Sequence, residues 1–178
     1  MRAEPLGIRG VTLLRAEVHE DERGGFRRVV DSALLESLGL ESAVSQISIA
    51  TNLRRGTVRG MHYQAAPHEE SKTLWCTHGA AFDVVVDLRP DEPTYGRWIS
   101  VHLPADEPIA LHIPPGIAHG YQTLEDDTSL TYVISAPYVA EGARSLRWSD
   151  PTVNIEWPLP VAVISKRDSE APAWPPSP

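Results

Sequence analysis

AFDVVVDL, residues 81–88, is apolar over almost its whole length, and this run decides the fold class. A strand with one face in water alternates apolar and polar residues, whereas a short continuous apolar run is typical of a strand buried on both faces. Its two acidic residues, Asp83 and Asp87, are expected at or near the strand ends. The run therefore predicts a strand buried between two β-sheets.

Further short β-like runs flank this strand on both sides, about 8–12 residues apart and bounded by Gly, Pro and Asp, which indicates an all-β sandwich or barrel. These runs are residues 11–18, 26–30, 43–51, 57–64, 72–77, 97–103, 109–113, 119–124, 129–135 and 145–148. A short helix is predicted only over residues 31–38, where Asp31 can cap the first turn and Gly39 can end the last.

The composition agrees with one loop-rich domain over residues 1–178. The chain has 12 Gly and 16 Pro, and 42% of its residues are hydrophobic, which is enough for a packed core without disulfides. From about residue 151 the chain is rich in proline, so we expect a tail that wraps the domain or frays instead of forming another sheet strand.

Charge and cysteine content limit the classes of partner and the cellular location. The formal net charge of −8 argues against a nucleic-acid partner, although a small anionic ligand bound by local arginines remains open. Cys76 is the single cysteine, which leaves no disulfide framework and no cysteine-based zinc cluster. Neither a signal peptide nor an apolar run of the ~20 residues that span a membrane is present, so we expect a cytoplasmic protein with no membrane partner.

The densest polar cluster lies on a predicted strand, residues 57–64. Strict alternation would place Arg59 and His62 on opposite faces, so both can serve one site only if the pleat breaks near Gly60. For His62 alone, a role in proton transfer and a structural role both remain open.

A second cluster, IPPGIAHG at residues 113–120, delivers His119 to the start of a strand. Together with His62 it resembles the two motifs of the cupin superfamily, which implies a double-stranded β-helix, or jelly roll. Metal-binding cupins carry a second histidine where this chain has Gln64. A metal site made of His62, His119 and Glu69 or Glu70 is therefore the less favoured alternative.

The ordered set of motifs resembles the dTDP-4-dehydrorhamnose 3,5-epimerase family from about residue 10 to residue 170. The matching stretches are DERGGF (21–26), RGMHYQ (59–64), Lys72, FDVVVDLR (82–89), PTYGRW (93–98), IPPGIAHG (113–120), Tyr132, Tyr138, RWSDP (147–151), IEWPL (155–159) and ISKRD (164–168). The order and spacing carry this resemblance, since no single motif is specific.

The resemblance implies cofactor-free epimerisation, without metal, of a nucleoside-diphosphate-linked 4-keto-6-deoxyhexose, expected to be dTDP-4-keto-6-deoxyglucose. By resemblance, His62 is the base that removes a proton next to the keto group, and Tyr132 is the acid that returns one to the opposite face. Asp168 matches the carboxylate that pairs with the histidine. Lys72 matches the cation near the keto oxygen.

The resemblance also implies which residues bind the substrate. Arg23 and Arg59 match positions that hold the diphosphate, and Phe26 and Tyr138 match positions around the nucleotide. The remaining implied substrate contacts are Gln46, Ser48, His119 and Arg167. Family members pair and share the N-terminal strand that carries the Arg23 region, so we expect a homodimer.

The chain departs from the family pattern at three rim positions. Arg28 and Ala143 stand where the family often has Glu, with Glu141 close to the second position, and Ser48 stands where it often has Asn. The nucleotide base, and whether carbon 3, carbon 5 or both are inverted, therefore stay open. Two rival functions also remain: a metal-dependent cupin enzyme, and a cupin that binds a sugar nucleotide without catalysis.

Overall fold

The structure, a computed structural model, describes residues 1–175. Over these residues the chain forms short strands, antiparallel except for one short parallel pair, and two short helices. The strands are β1 (Arg2–Pro5), β2 (Thr12–Arg15), β3 (Val18–Asp21), β4 (Gly24–Arg27), β5 (Gln46–Asn52), β6 (Thr57–Gln64), β7 (Lys72–His78), β8 (Ala80–Asp87), β9 (Trp98–Pro104), β10 (Ile109–Ile113), β11 (Ile117–Thr123), β12 (Thr128–Ile134), β13 (Ala143–Ser145) and β14 (Val163–Ile164). The helices are α1 (Ser32–Ser37) and α2 (Lys166–Ser169).

Two sheets face each other in a jelly roll, which confirms the predicted fold class. The first sheet has the order β1-β2-β10-β7-β12-β5, and the second has the order β13-β6-β11-β8-β9, with β14 added to β6. Strands distant in sequence are neighbours in both sheets, as crossovers between the sheets require. The hairpin of β3 and β4 belongs to neither sheet.

The core between the sheets is made of inward-facing aliphatic side chains. Leu74, Leu111 and Leu130 come from the first sheet and meet Val85 and Leu103 of the second; each is 1% exposed or less. Alternation along each strand places these residues on one face, which is why the two sheets close against each other. Burial of this apolar surface is the main force that holds the sandwich together.

Strand β8 is buried on both faces, as its continuous apolar run predicts, but the second cover is not a sheet. Val85 faces the core between the sheets, whereas Val84 and Val86 point to the outer face of the second sheet. Trp157 and Trp174 of the C-terminal segment pack over that outer face. The tail thus wraps the domain, which was one of the two outcomes expected for it.

The wrapping tail also contains regular structure that the sequence did not predict. Strand β14 pairs in parallel with β6, and helix α2 follows at once. Such two- and four-residue elements are too short to show a hydrophobic period. The chain then reaches Trp174, whose ring lies 4.9 Å from that of Tyr95. The last prolines of the tail, Pro176 and Pro178, lie outside the described residues.

The expectation that both acidic residues lie at or near the ends of β8 is wrong for Asp83. Asp87 ends the strand, whereas Asp83 lies in its interior and is fully buried. The interior position is tolerated because the Asp83 carboxylate lies 2.8 Å from Nε2 of His119 on the adjacent strand. Burial raises the pKa of Asp83, and His119 offsets only part of that rise.

Helix α1 follows the prediction closely. The Asp31 carboxylate accepts a hydrogen bond from the backbone N–H of Leu34, and Gly39 lies just past the helix in a left-handed conformation, with φ of +68°. Leu35 packs against the outer face of the first sheet. Strand β1 was not predicted, and the run over residues 11–18 divides into β2 and β3. No helix within residues 1–175 has the length and apolar character needed to cross a membrane.

Candidate active site

A cavity of about 390 Å³ opens between the two sheets. It gathers most of the residues that the sequence analysis predicted as a site, from both sheets and from the tail. These residues are Gln46, Ser48, Arg59, His62, Lys72, His119, Tyr132, Tyr138 and Arg167. Asp168 lies behind His62 and is 3% exposed.

A bulge at Gly60 brings Arg59 and His62 to the same cavity. His62 lies opposite His119 and Arg59 lies opposite Tyr121, so two residues of β6 face the single residue Gly120. Gly60 has φ of +130°, and a Cβ there would lie 2.5 Å from the Cα of Gly120. Only glycine fits this crossing, and the break in the pleat meets the condition set by the sequence.

His62 forms a short hydrogen bond with a buried carboxylate. Its Nε2 lies 2.6 Å from Oδ1 of Asp168, and the backbone N–H of Gly60 donates to the other oxygen at 3.3 Å. Burial alone would raise the pKa of Asp168, but the bonds from His62 and Gly60 outweigh it and hold the pKa below its usual range. An ionised Asp168 accepts a hydrogen bond from Nε2–H of His62 and so keeps the ring proton on Nε2. Nδ1 then retains its lone pair and is the nitrogen that can accept a proton.

Helix α2 sets the position of Asp168. The Ser165 side chain caps this one-turn helix by accepting a hydrogen bond from the backbone N–H of Asp168. The preceding strand β14 pairs with the start of β6, the strand that carries His62. The tail therefore delivers the carboxylate to the histidine through backbone contacts rather than through a flexible loop.

Tyr132 lies on β12 across the cavity. Its side chain is half-buried, and its ring borders the cavity. Burial is the main reason that its pKa is raised well above the usual range, and nearby Tyr121 and Asp83 raise it further. Tyr132 therefore carries its proton at neutral pH, as a proton donor must.

A second polar network surrounds this tyrosine. Asn52 accepts hydrogen bonds from Nε of Arg59 at 2.7 Å and from the hydroxyl of Tyr121 at 3.2 Å. The ring of His119 lies 6.0 Å from that of Tyr132, centroid to centroid, and is paired with Asp83. The sequence analysis did not single out Asn52 or Tyr121. For Asp83 a signal was available, because it is an acidic residue within the otherwise apolar run AFDVVVDL.

Lys72 projects from β7 into the cavity and forms an ion pair. Its Nζ lies 3.1 Å from Oε1 of Glu70, and both side chains are largely buried. The sequence analysis considered Glu70 only as an alternative metal ligand. In the structure this carboxylate faces the lysine instead.

The ligand set of the metal-dependent alternative is not assembled. His62 is hydrogen-bonded to Asp168, His119 pairs with Asp83, and Glu70 pairs with Lys72, whereas the side chain of Glu69 is exposed. Across residues 1–175, no group of three or more His, Cys, Asp or Glu side chains is close enough to hold a metal ion. The donor geometry thus disfavours a metal-dependent cupin.

Arg23 and Phe26 do not reach the cavity of their own chain. Both lie on the β3–β4 hairpin, where Arg23 pairs with Asp21 at 2.6 Å and the Phe26 side chain is 70% exposed. Within one chain the structure therefore brings together every predicted site residue except these two.

Comparison with known proteins shows the family of this chain. The family model for dTDP-4-dehydrorhamnose 3,5-epimerase matches residues 5–175. The chain belongs to this epimerase family. A dTDP-4-dehydrorhamnose 3,5-epimerase of Sinorhizobium fredii is 38% identical over 174 residues, which cover 97% of this chain and 89% of the relative. The predicted family is confirmed, and with it the predicted class of isomerase.

Solved structures of epimerases superpose closely on this chain. An epimerase of Mycobacterium tuberculosis has a TM-score of 0.93 at 32% identity, covering 97% of this chain and 88% of its own. A 3'-monoepimerase of Streptomyces bikiniensis in complex with dTDP-quinovose has a TM-score of 0.89, also at 32% identity, with coverage of 96% and 86%. The family fold thus accompanies more than one outcome of epimerisation.

Proposed function

We propose that this protein epimerises a nucleoside-diphosphate-linked 4-keto-6-deoxyhexose, expected to be dTDP-4-keto-6-deoxyglucose, through an enolate and without a cofactor. The observation that carries the proposal is the His62–Asp168 pair, which faces Tyr132 and Lys72 across one cavity. This set supplies a base, an acid and a cation, which are the groups that inversion next to a ketone requires.

The first step is removal of a proton from the carbon next to the keto group. Nδ1 of His62 accepts this proton, and the electron pair of the broken C–H bond moves onto the keto oxygen. Asp168 stabilises the imidazolium that results because its carboxylate lies 2.6 Å from Nε2. Its hydrogen bond also holds the ring in one orientation.

The enolate oxygen needs a positive group that is already in place. Lys72 supplies this charge from the cavity wall, where its side chain is only 12% exposed. In such a water-poor setting an oriented cation stabilises developing negative charge more strongly than it would in water. His119, held by Asp83, lines the same cavity as a substrate contact.

Inversion is completed when Tyr132 returns a proton to the opposite face of the carbon. A new C–H bond forms, the electron pair returns from oxygen to restore the ketone, and a tyrosinate remains. The imidazolium of His62 and the tyrosinate then exchange protons with water, which resets both residues. Because the base and the acid are different residues, the returned proton comes from solvent and not from the substrate.

The nucleotide end of the substrate is proposed to meet two arginines and a tyrosine. Arg59 and Arg167 line the cavity, and neither has a carboxylate partner at ion-pair distance within the described part of the chain. Planar guanidinium groups suit the paired oxygens of a diphosphate. Tyr138 is 62% exposed at the mouth, where a base can stack on it. Gln46 and Ser48, on β5, line the same cavity.

We propose a homodimer in which each chain completes the site of its partner. The first sheet ends at β5, and Ile47 and Ile49 on this edge strand are 68% and 70% exposed. An edge of this kind accepts a further strand, and the projecting β3–β4 hairpin is a segment of matching type. A hairpin that added to the β5 edge of a partner would bring Arg23 and Phe26 to the partner cavity.

We propose further that the whole chain acts as one domain in the cytoplasm and binds neither nucleic acid nor membrane. The family match over residues 5–175 supports one domain. Cys76 is a buried free thiol, which suits a reducing compartment. The net charge of −8 gives no general attraction to phosphate backbones.

A second candidate function is inversion at carbon 3 alone. Arg28, Ser48 and Ala143 depart from the family pattern, and the last two line the cavity, where small shifts of the sugar decide which hydrogen reaches His62. A structural neighbour is a 3'-monoepimerase. Because the proposed catalytic set is complete, we favour inversion at both carbons.

The deciding experiment is incubation with dTDP-4-keto-6-deoxyglucose in deuterated water, followed by NMR of the sugar. Deuterium at carbons 3 and 5 of an inverted product supports the proposal. A stable product labelled only at carbon 3 would establish the second candidate function without changing the roles of His62 and Tyr132. Binding without any exchange would show a non-catalytic protein instead.

A further inference from the structure

Glu70 forms an ion pair that the reaction as described does not use. Its Oε1 lies 3.1 Å from Nζ of Lys72, and the side chains of Glu70 and Lys72 are 11% and 12% exposed. Among residues 1–175 no other carboxylate lies within ion-pair distance of this lysine. A largely buried pair in the cavity wall constrains the ammonium far more than an exposed pair would.

The second carboxylate oxygen of Glu70 contacts a residue of the opposite sheet. Oε2 accepts a hydrogen bond from Nε2 of Gln64 at 3.1 Å. The Gln64 amide also donates to the carbonyl of Pro137 at 3.2 Å and accepts from the backbone N–H of Val139 at 2.9 Å. Glu70 therefore connects Lys72 on the first sheet to Gln64 on the second, and through it to the segment that presents Tyr138.

We propose that Glu70 is a positioning residue for the reaction and acts through Lys72; the proposal rests on the proposed function. A lysine side chain has four flexible carbons and a strongly hydrated head, so its ammonium is not oriented by its own stem. Glu70 holds one of its three N–H groups and leaves the others for the keto oxygen. A carboxylate by itself opposes an enolate, so its benefit can arise only through the cation that it orients.

Gln64 supports this role because both the oxygen and the nitrogen of its amide are engaged in hydrogen bonds. Its oxygen accepts one bond and its nitrogen donates two, so the amide cannot rotate without losing contacts. Glu70 is thereby fixed from the side away from Lys72. Gln64 stands at the position where a metal-binding cupin has a histidine, and here it anchors the carboxylate of Glu70.

The test is a double-mutant cycle on kcat and KM with Glu70→Ala, Lys72→Ala and the combined variant. We expect Glu70→Ala to lower kcat about 10- to 100-fold, the size of effect that a displaced catalytic group produces, with KM changed less than about threefold. In the Lys72→Ala background, Glu70→Ala should cause no further loss of kcat, since the group it orients is gone. Additive losses would overturn the proposal.

Further variants keep the test decisive. Glu70→Gln retains an oxygen for Lys72 and should recover most of the kcat lost in Glu70→Ala. If the alanine protein does not fold, Glu70→Met replaces it, because methionine keeps the length of the side chain but offers Lys72 no oxygen. Glu69→Ala removes an exposed neighbouring carboxylate and should match the wild type. If wild type and Glu69→Ala epimerise the sugar but Glu70→Ala is equally active, Glu70 has no positioning role. If the wild type is inactive, the proposed function fails and this proposal fails with it.

Discussion

Nε2 of His62 lies 2.6 Å from Oδ1 of Asp168, although the two residues are 106 positions apart in the chain. His62 comes from an interior strand of the second sheet and Asp168 from a one-turn helix in the C-terminal tail. The pair exists only because the tail wraps back onto the start of β6. The base of the proposed reaction thus depends on a segment that follows all the long strands.

Replacing Asp168 by Asn tests this pair. The amide keeps the shape of the side chain but cannot stabilise an imidazolium, so we expect kcat to fall by about 10²–10⁴-fold while KM stays close to that of the wild type. Steady-state kinetics on the 4-keto sugar nucleotide gives both constants. Asp91→Asn, at an exposed position, is the matched control. A kcat for Asp168→Asn within threefold of the wild type would contradict the assigned role.

His62→Ala and Tyr132→Phe should separate the two proton transfers. Without the base there is no enolate, so His62→Ala should lose both deuterium exchange and inversion. Tyr132→Phe keeps the base, so deuterium should still enter from the unchanged face while inversion slows by about 10²–10⁴-fold. Proton NMR in deuterated water follows both events, with His102→Ala as the exposed control. Near-normal exchange by His62→Ala is the result that would remove His62 from the role of base.

Exhaustive chelation should leave turnover unchanged. Of the side chains that the metal-dependent alternative uses, His62 is hydrogen-bonded to Asp168, His119 pairs with Asp83 and Glu70 pairs with Lys72, whereas Glu69 is exposed. The measurement is kcat before and after dialysis against a strong chelator, with the metal content checked by elemental analysis. Activity that disappears on chelation and returns with one divalent ion would favour the metal-dependent alternative.

Mixed dimers test whether Arg23 acts in the partner site. Arg23→Ala and His62→Ala should each be nearly inactive alone, but a mixed dimer contains one site with an intact His62 and an intact Arg23. Co-expression of the two variants should therefore restore activity. The control pair is Arg59→Ala with His62→Ala, because both residues line the cavity of one chain and no intact site can form. Absence of rescue in the first pair would show that the hairpin does not cross between chains.

His112 should make the protein less stable in mild acid. Burial lowers its pKa from 6.5 to about 4, its Nδ1 lies 2.9 Å from the Thr73 hydroxyl, and its Nε2 has no protein partner within residues 1–175. Between these pKa values the unfolded chain binds the proton and the folded chain does not. The contribution of His112 to stability is therefore complete above about pH 6.5 and falls as the pH drops toward 4.

The size of this effect is about 2 kcal/mol of unfolding free energy between pH 7.5 and pH 5. Urea denaturation at the two pH values measures it, and the comparison with His112→Asn isolates it, since asparagine can keep the bond to Thr73 but does not titrate. His102→Asn changes an exposed histidine and should lose as much stability in acid as the wild type does. An equal loss in His112→Asn would show that other groups control acid stability.

The sequence by itself determined the fold class and the residue types of the site. The short β-like runs, the apolar run of β8 and the turn residues between the runs are local features that predict an all-β sandwich or barrel. The resemblance to the cupin motifs narrows this prediction to a jelly roll, and a break in the pleat near Gly60 was only the condition for Arg59 and His62 to share a site. The ordered motifs predicted the family, which the comparisons confirm. Local chemistry is readable from the chain because backbone sterics and side-chain patterning act over a few residues.

The family resemblance implied that Asp168 pairs with the histidine, but only the tertiary structure decided the other polar pairs. No local pattern places Asp168 on His62, Asp83 inside a strand against His119, or Glu70 between Lys72 and Gln64. The first contact requires the tail to return to β6, the second requires β8 and β11 to pair within the second sheet, and the third requires the two sheets to face each other. A buried charge is stable only when such a partner is present, so its location is set by the packed fold and not by its neighbours in sequence.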